Sequence, residues 1–336
     1  MGLKKKIFIV LILLFLFLGM GIVLGVDLWL YAHRPATAHT NDLIVTISPG
    51  QSFKSTTEVL FAKGVLKSPL RFGLIARLKG YDKKLQAGEY LISGSMSPLL
   101  ILNKLVKGEV LLHKVTIPEG FNIYQVGDLI AKSGFAEKAE FLKVATDAQF
   151  ARELGIEGET LEGYLFPETY YFPKGIGVRA IVSTFVTRFW SVFEDQWKNQ
   201  AKQQGFTVHQ IVTLASIIEK ETGDPAERPL ISSVFHNRLK KGMRLESDPT
   251  VIYALENFDG NLTRKHLATA TPYNTYKING LPTGPIANPG RKSLEAALFP
   301  ADTPYIYFVS KKDKTHQFST NLKDHNKAVK KYQLKR

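Results

Sequence analysis

The segment Ser216-Ile217-Ile218-Glu219-Lys220-Glu221-Thr222 puts two carboxylates two residues apart at the end of an otherwise apolar run. On a helix that spacing turns them about 200° apart, so they meet different neighbours and cannot face each other across one substrate. Glu219 continues the stripe Val208, Val212 and Ala215, whereas Glu221 lies nearer Leu214 and Ile217. Burial of a glutamate on an apolar stripe disfavours its charged form. A general acid working near neutral pH needs that setting. The alternative is a partly exposed glutamate at a helix end, paired with Lys220 or Arg228, and this segment alone leaves both readings open.

Polar and aromatic runs follow closely: Asn237-Arg238-Leu239, Ser247-Asp248-Pro249-Thr250 and Tyr273-Asn274-Thr275-Tyr276. Residues 280–290, Gly-Leu-Pro-Thr-Gly-Pro-Ile-Ala-Asn-Pro-Gly, carry too many Pro and Gly for regular structure. Loops rich in aromatics and amides commonly form binding surfaces. Tyr and Asn suit a sugar, because ring faces stack on C–H groups and amides read hydroxyls. Tyr164, Tyr273, Asn274 and Tyr276 are therefore candidate ligand contacts. Glu221 and Asp248 are candidates for orienting loops or binding hydroxyls; Asp248, just before Pro249, could equally cap the next helix. Arg228 and Arg238 could bind acidic groups of a ligand or form salt bridges.

These groups need rigid supports. Val208–Ile218 is almost wholly apolar and predicts a buried helix. Val178–Trp197 shows helical spacing in Ile181, Val182, Phe185, Phe189, Val192 and Phe193. Leu230–Leu239 predicts a short helix, Tyr305–Val309 a strand, and His325–Arg336 a basic, solvated helix. Upstream, Leu43–Ile47 and Gly88–Ile92 predict strands. Ser52–Lys63 and Pro69–Leu78 predict helices between them, giving a β-α-α-β order. Val45-Thr46-Ile47-Ser48-Pro49-Gly50 is echoed by Val115-Thr116-Ile117-Pro118-Glu119-Gly120. That echo reads either as a duplicated strand-turn-helix unit or as two turns that converged.

The N-terminus carries Lys4, Lys5 and Lys6 and then runs without a charge from Ile7 to Val26. Twenty such residues match the length of a bilayer-spanning helix. The expected layout is a cytoplasmic tail at 1–6, a transmembrane helix at 7–30 and a linker at 31–42, with the rest exported. A cleaved signal peptide is the alternative, with Ala36-Thr37-Ala38 as its cleavage site, although such apolar regions usually run only about 7–15 residues. The net charge of +14 suits an anionic partner. Export argues against nucleic acid.

Several chemistries drop out. The chain has no cysteine, so disulfides, thiolate metal sites and thiol nucleophiles are excluded. The eight histidines are scattered and no HExxH occurs, so no metal is expected. Neither GxSxG nor SxxK is present, and Gly-Lys never occurs, which removes the usual serine acyl enzymes and the P-loop. No cofactor is expected.

One run after another then matches a known pattern. Leu161-Glu162-Gly163-Tyr164-Leu165-Phe166-Pro167-Glu168-Thr169-Tyr170 resembles the LEG-(F/Y)-LFP-(D/E)-TY signature of the YceG-like (MltG) family of endolytic murein transglycosylases. So do Ala215–Glu221, Ser247–Tyr253, Tyr273–Tyr276, the Gly-Pro run, Ala301–Val309 and His316–Leu322, in the same order. The resemblance implies an α+β chain: the transmembrane helix, a small LysM-like β-α-α-β module at 43–115, and a mainly helical catalytic domain with long loops at 116–336. It implies cleavage of the MurNAc–GlcNAc β-1,4 bond inside nascent glycan strands, leaving 1,6-anhydro-MurNAc ends and terminating chain growth. Glu219 aligns with the family's catalytic glutamate. The implied partners are peptidoglycan glycan strands, the cytoplasmic membrane and peptidoglycan synthases; the implied location is the inner membrane, with the catalytic domain periplasmic or extracellular. Two rivals stay open. One is a hydrolase that uses Glu221 or Asp248 as a second carboxylate, and the other is a non-catalytic glycan-binding scaffold.

Overall fold

A computed structural model describes residues 2–36, 41–255 and 258–334. Among the described residues the fold mixes helices with three two-stranded sheets, and the chain divides into two compact units. Unit 1 holds residues 1–113 and 171–175; unit 2 holds 114–170 and 176–336.

Unit 1 begins with helix α1 (Leu3–His33), which is long and apolar enough to cross a membrane. Its charge-free stretch faces outward along its length. The helix continues through the first residues of the expected linker, because Tyr31 and Ala32 are buried in the core of the unit. Residues 37–40 of that linker, with most of the candidate cleavage site, lie outside the described residues. Strand β1 (Asp42–Ile47), helices α2 (Phe53–Ala62) and α3 (Pro69–Lys79), and strand β2 (Gly88–Ser93) follow in the β-α-α-β order. Ser52 caps α2 and Ser68 caps α3, each accepting a backbone N–H. The strands pair antiparallel with Val45 opposite Tyr90. Val45, Leu60, Phe72, Tyr90 and Ile92 build the core with Ile101, Leu102 and Leu105 of α4 (Pro98–Lys107).

Strand β3 (Leu112–Thr116) pairs with β4 (Thr169–Pro173). After β3 comes α5 (Ile123–Lys132), closed at its start by a capping box of Asn122 and Gln125. The echo of β1 and β3 holds in the backbone: each strand leads through a left-handed glycine, Gly50 (φ 78°) or Gly120 (φ 75°), into a helix.

Unit 2 continues with α6 (Lys138–Ala145), α7 (Ala148–Glu153), α8 (Val178–Val192) and α9 (Asp195–Gln203). The helix expected over Val178–Trp197 is therefore broken. Phe193 leaves helical geometry (ψ 70°). Its ring then stacks on Phe189 at 5.5 Å and meets Trp197 edge-on at 5.6 Å. The apolar spacing survives because both sides of the break face one core. Helix α10 (Val208–Glu221) starts at a capping box of Thr207 and Gln210. Every residue from Ile211 to Ile218 is buried. Around it pack α9, α11 (Arg228–Lys240), α12 (Asp248–Tyr253) and α14 (Arg291–Leu298). The short α13 (Arg264–Ala268) precedes residues 269–290, which contain neither helix nor strand. Strands β5 (Tyr307–Ser310) and β6 (His316–Ser319) form a hairpin, and α15 (Leu322–Val329) is followed by a π-helical turn at Lys330–Leu334.

Gly163 shows how tightly the irregular segments are held on α10. Its φ is +88°, and a Cβ there would lie 2.6 Å from Pro285 and 2.8 Å from Val212. Gly134 has a similar φ of +70° but open space around it. We expect Gly134→Ala to cost about 1 kcal/mol from backbone strain alone. Gly163→Ala should cost about 2–4 kcal/mol, because crowding adds to strain. Urea unfolding midpoints read the difference, and equal losses would refute the close packing at Gly163.

Candidate active site

Glu219 lies near the C-terminal end of α10, where four segments of unit 2 converge. Its side chain is only 6% exposed. A carboxylate withdrawn from water must find donors, and both oxygens have one. Arg228 Nη2 donates to Oε1 at 3.0 Å, and the Gly290 N–H donates to Oε2 at 3.0 Å. Helix α10 ends at Thr222, which turns to extended backbone. The chain then reverses through Asp224-Pro225 and enters α11 at Arg228, with Pro229 in its first turn. That short reversal brings Arg228 back onto Glu219. Gly290 is the N-cap of α14, so its N–H is one of the donors a helix start leaves free.

Glu119 comes to the same guanidinium from a hundred residues upstream. Its Oε2 is 3.6 Å from Arg228 Nη2. Burial first, and the charge of Glu219 second, push the Glu119 carboxyl up, while Arg228 draws it down. The turn that carries it is clamped by Asn288. The Gly120 N–H donates to the Asn288 carbonyl, and the Asn288 N–H and Nδ2 donate to the Phe121 carbonyl. Lys220 Nζ donates to the Gly120 carbonyl at 3.3 Å. A Cβ on Gly290 would fall 1.8 Å from Glu119 Oε1, so glycine there leaves room for the carboxylate.

The two α10 carboxylates part in space, as their spacing requires. Glu221 takes a different neighbour, the Ser247 hydroxyl, which donates to its Oε1. Ser247 leads into α12, and its N–H donates to Thr275 Oγ1 at 2.9 Å, which ties the Tyr273–Tyr276 run to α10. Asp248 is exposed and sits in the first turn of α12, where its Oδ1 accepts from the Tyr276 hydroxyl at 2.6 Å. Asn274 is fully buried and donates to the Leu267 and Thr269 carbonyls, closing the end of α13. Tyr273 is half-buried against Tyr253, with ring centroids 4.9 Å apart. Tyr164 is 1% exposed, and its hydroxyl is 2.9 Å from His209 Nδ1. Tyr164 and Asn274 thus lie inside the unit, holding other segments. Tyr273 and Tyr276 keep part of their surface open.

Glu162 is the second buried hub. Its Oε2 accepts from the Ile123 N–H at 3.1 Å and the Tyr253 hydroxyl at 2.9 Å. Asn288 joins it to the site, since Asn288 Nδ2 donates to Glu162 Oε1 at 3.5 Å while its Oδ1 accepts from the Leu165 N–H at 2.8 Å. The Ile286 N–H donates to Ser216 Oγ at 3.0 Å, fixing the Gly-Pro run onto α10. Beside the start of α11, Glu227 takes the His316 N–H at 2.8 Å and His316 Nδ1 at 2.6 Å.

Sequence reasoning passed over Glu119, Gly290 and Asn288. The signal for Glu119 was its place in the echoed turn, where a carboxylate stands at the position of Pro49. Arg228 was visible with its role open, and the structure gives it to Glu219. Among the described residues no group of His, Asp and Glu is arranged to hold a metal ion.

Residues 45–331 match the YceG-like family, and the chain belongs to that family. An endolytic murein transglycosylase of Bacillus subtilis (strain 168) is 36% identical over 304 residues, covering 86% of this chain and 84% of that one. An endolytic murein transglycosylase of Streptococcus pneumoniae (serotype 2, strain D39) is 29% identical over 319 residues; these cover 85% of this chain and 57% of the pneumococcal protein. The crystal structure of a YceG-like protein from Listeria monocytogenes superposes with a TM-score of 0.59 at 35% identity, covering 85% of this chain and 98% of that one.

Burial pushes the carboxyls of Glu162 and Glu221 up to about 7, against the lowering effect of their hydrogen-bond donors. In the unfolded chain a glutamate ionises near 4.5. Between those values the unfolded chain releases protons that the folded chain keeps. The contribution of these two groups to stability is therefore greatest below about pH 4.5 and falls as pH rises toward about 7, by up to about 3 kcal/mol per group. Glu162→Gln removes one of the two groups. Urea midpoints from about pH 5 to pH 8 should fall less steeply in this variant than in the wild type. Parallel profiles would show that Glu162 does not carry this dependence.

Proposed function

We propose that this chain is a membrane-anchored lytic transglycosylase that cuts peptidoglycan glycan strands internally, with Glu219 as its acid and base. The observation that carries the reading is the Glu219 carboxyl, buried at the end of α10 and gripped by Arg228 and the Gly290 N–H. The supporting fact is membership of a family whose curated relatives above are endolytic murein transglycosylases. In this reading α1 is a single-pass anchor in the inner membrane with its lysines in the cytoplasm, and the rest of the chain is outside. The β-α-α-β segment of unit 1 acts as a LysM-like glycan-binding module. Cleavage ends nascent strands beside the peptidoglycan synthases.

The bond broken is the MurNAc–GlcNAc β-1,4 link. With glycan bound, the protonated form of Glu219 gives its proton to the leaving O4 as the C1–O4 bond breaks. The carboxylate so formed takes the proton of the C6 hydroxyl as O6 bonds to C1. The products are a GlcNAc end bearing a free 4-hydroxyl and a 1,6-anhydro-MurNAc end. Glu219 returns protonated, and no water is consumed. One carboxyl suffices because the nucleophile belongs to the substrate, and intramolecular attack gains from proximity. Glycan entry exchanges one of the two contacts on Glu219 for the glycosidic oxygen, and the other keeps the carboxyl aimed. Tyr273 and Tyr276 offer ring surface to sugars, while Glu221 and Asp248 hold the loops that present them.

Glu119 gives one hydrolytic alternative a physical basis, because it is a second carboxylate on the same guanidinium. A hydrolase would deliver water to C1, and its product would be about 18 Da heavier than the anhydro form. Product masses from purified glycan strands decide between the two. We expect anhydro ends from the wild type. Glu219→Gln should lower turnover by about 10²–10⁴-fold, the usual worth of a general acid–base. Turnover at the native rate by the amide variant would end the reading.

A further inference from the structure

Helix α3 is apolar on two sides. Phe72, Ile75 and Ala76 are buried in the core of unit 1. Leu70, Leu74 and Leu78 recur at every fourth residue on the outer side, 84%, 48% and 71% exposed. A row of large exposed leucines marks a contact surface. From Val59 to Tyr81 the chain carries five basic residues and no acidic one: Lys63, Lys67, Arg71, Arg77 and Lys79.

The place of this face along the anchor is fixed by direct contacts within unit 1. Arg71 Nη2 pairs with Asp27 of α1 at 3.1 Å, and its guanidinium lies 5.7 Å from the centre of the Tyr31 ring. The Tyr31 hydroxyl donates to the Ser68 carbonyl at 2.9 Å, at the cap of α3. Asp27 is the first charged residue after the charge-free run Ile7–Val26. A carboxylate at that point belongs at headgroup level, since it is costly inside hydrocarbon. The first turn of α3 is therefore tied to α1 where the span leaves the bilayer.

We propose that α3 lies on the surface of the membrane that α1 crosses. Leu70, Leu74 and Leu78 enter the headgroup–acyl boundary, and the surrounding lysines and arginines meet anionic phospholipid. The inference rests on the reading of α1 as a membrane anchor. An apolar helix face flanked by basic residues is the pattern of interfacial helices. Each basic residue near an anionic surface adds to the attraction. Unit 1 is then fixed to the bilayer by two helices, one crossing it and one resting on it.

The absence of cysteine makes the test direct. Single cysteines are placed in the full-length protein at Leu74→Cys, Phe17→Cys and Glu58→Cys, and each is labelled with a polarity-sensitive fluorophore. The proteins are reconstituted in phosphatidylglycerol–phosphatidylethanolamine vesicles containing spin-labelled lipids. At Leu74 we expect blue-shifted emission and strong quenching by lipid labelled near the headgroup. At Phe17, within the anchor, we expect quenching by deeply labelled lipid. Exposed Glu58 on α2 should respond to neither. Quenching at Phe17 with Leu74 behaving like Glu58 overturns the inference and leaves the anchor standing. A blue shift at Leu74 without lipid quenching, together with energy transfer between labelled copies, assigns the stripe to a second copy and also overturns it. Quenching at neither Phe17 nor Leu74 removes both readings. Equal quenching at Leu74 in wholly zwitterionic vesicles removes the role given to anionic lipid.

Discussion

A carboxylate kept from water must be met by donors, and in this chain that requirement organises unit 2 around Glu219. Arg228 holds one oxygen and the Gly290 N–H holds the other. Each donor comes from the start of a helix packed on α10: Arg228 from α11 and Gly290 from the cap of α14. Losing one partner of a buried pair strands the other as an uncompensated charge, a penalty far larger than the net worth of the pair. The positions of α10, α11 and α14 are thereby coupled to one side chain. The same guanidinium reaches Glu119, which extends the coupling to the turn after β3.

The irregular segments are ordered by the same logic on a larger scale. Residues 280–290 have no helix or strand, so their backbone groups need partners elsewhere. Ser216 takes the Ile286 N–H, and Asn288 bridges the Phe121 carbonyl and the Leu165 N–H. Glu162 anchors the start of α5 and the hydroxyl of Tyr253. Buried side chains with several lone pairs or N–H groups act here as substitutes for a sheet. They also explain why the LEG and Gly-Pro runs lie together although they are more than a hundred residues apart.

Much of the architecture was legible in local pattern. The apolar run before Glu219 gave α10, helical spacing gave α2 within Ser52–Lys63 and α3 from Pro69, and the β-α-α-β order followed from alternating periods. The two-residue spacing of Glu219 and Glu221 told that they would part, and they do, one toward Gly290 and the other toward Ser247. What local pattern could not give was pairing across distance. Nothing near Glu119 says that it meets Arg228, because the contact depends on how Asn288 clamps the turn. Residue type also misleads about exposure. Tyr164 and Asn274 have side chains suited to a sugar, yet both are buried and spend their polar atoms on His209 and on the carbonyls after α13. Apolar periodicity ran unbroken through Phe193, where the helix itself breaks, since spacing records which side faces the core and not whether the backbone continues.

The grip of Arg228 on Glu219 is tested most directly by removing the guanidinium and offering it back. Turnover of Arg228→Ala on glycan strands should fall by at least about tenfold, the loss of one charge-assisted hydrogen bond. Free guanidinium ion at concentrations too low to unfold the protein should restore part of that loss, and ammonium at equal ionic strength should not. Native turnover by Arg228→Ala without any added cation would contradict the account.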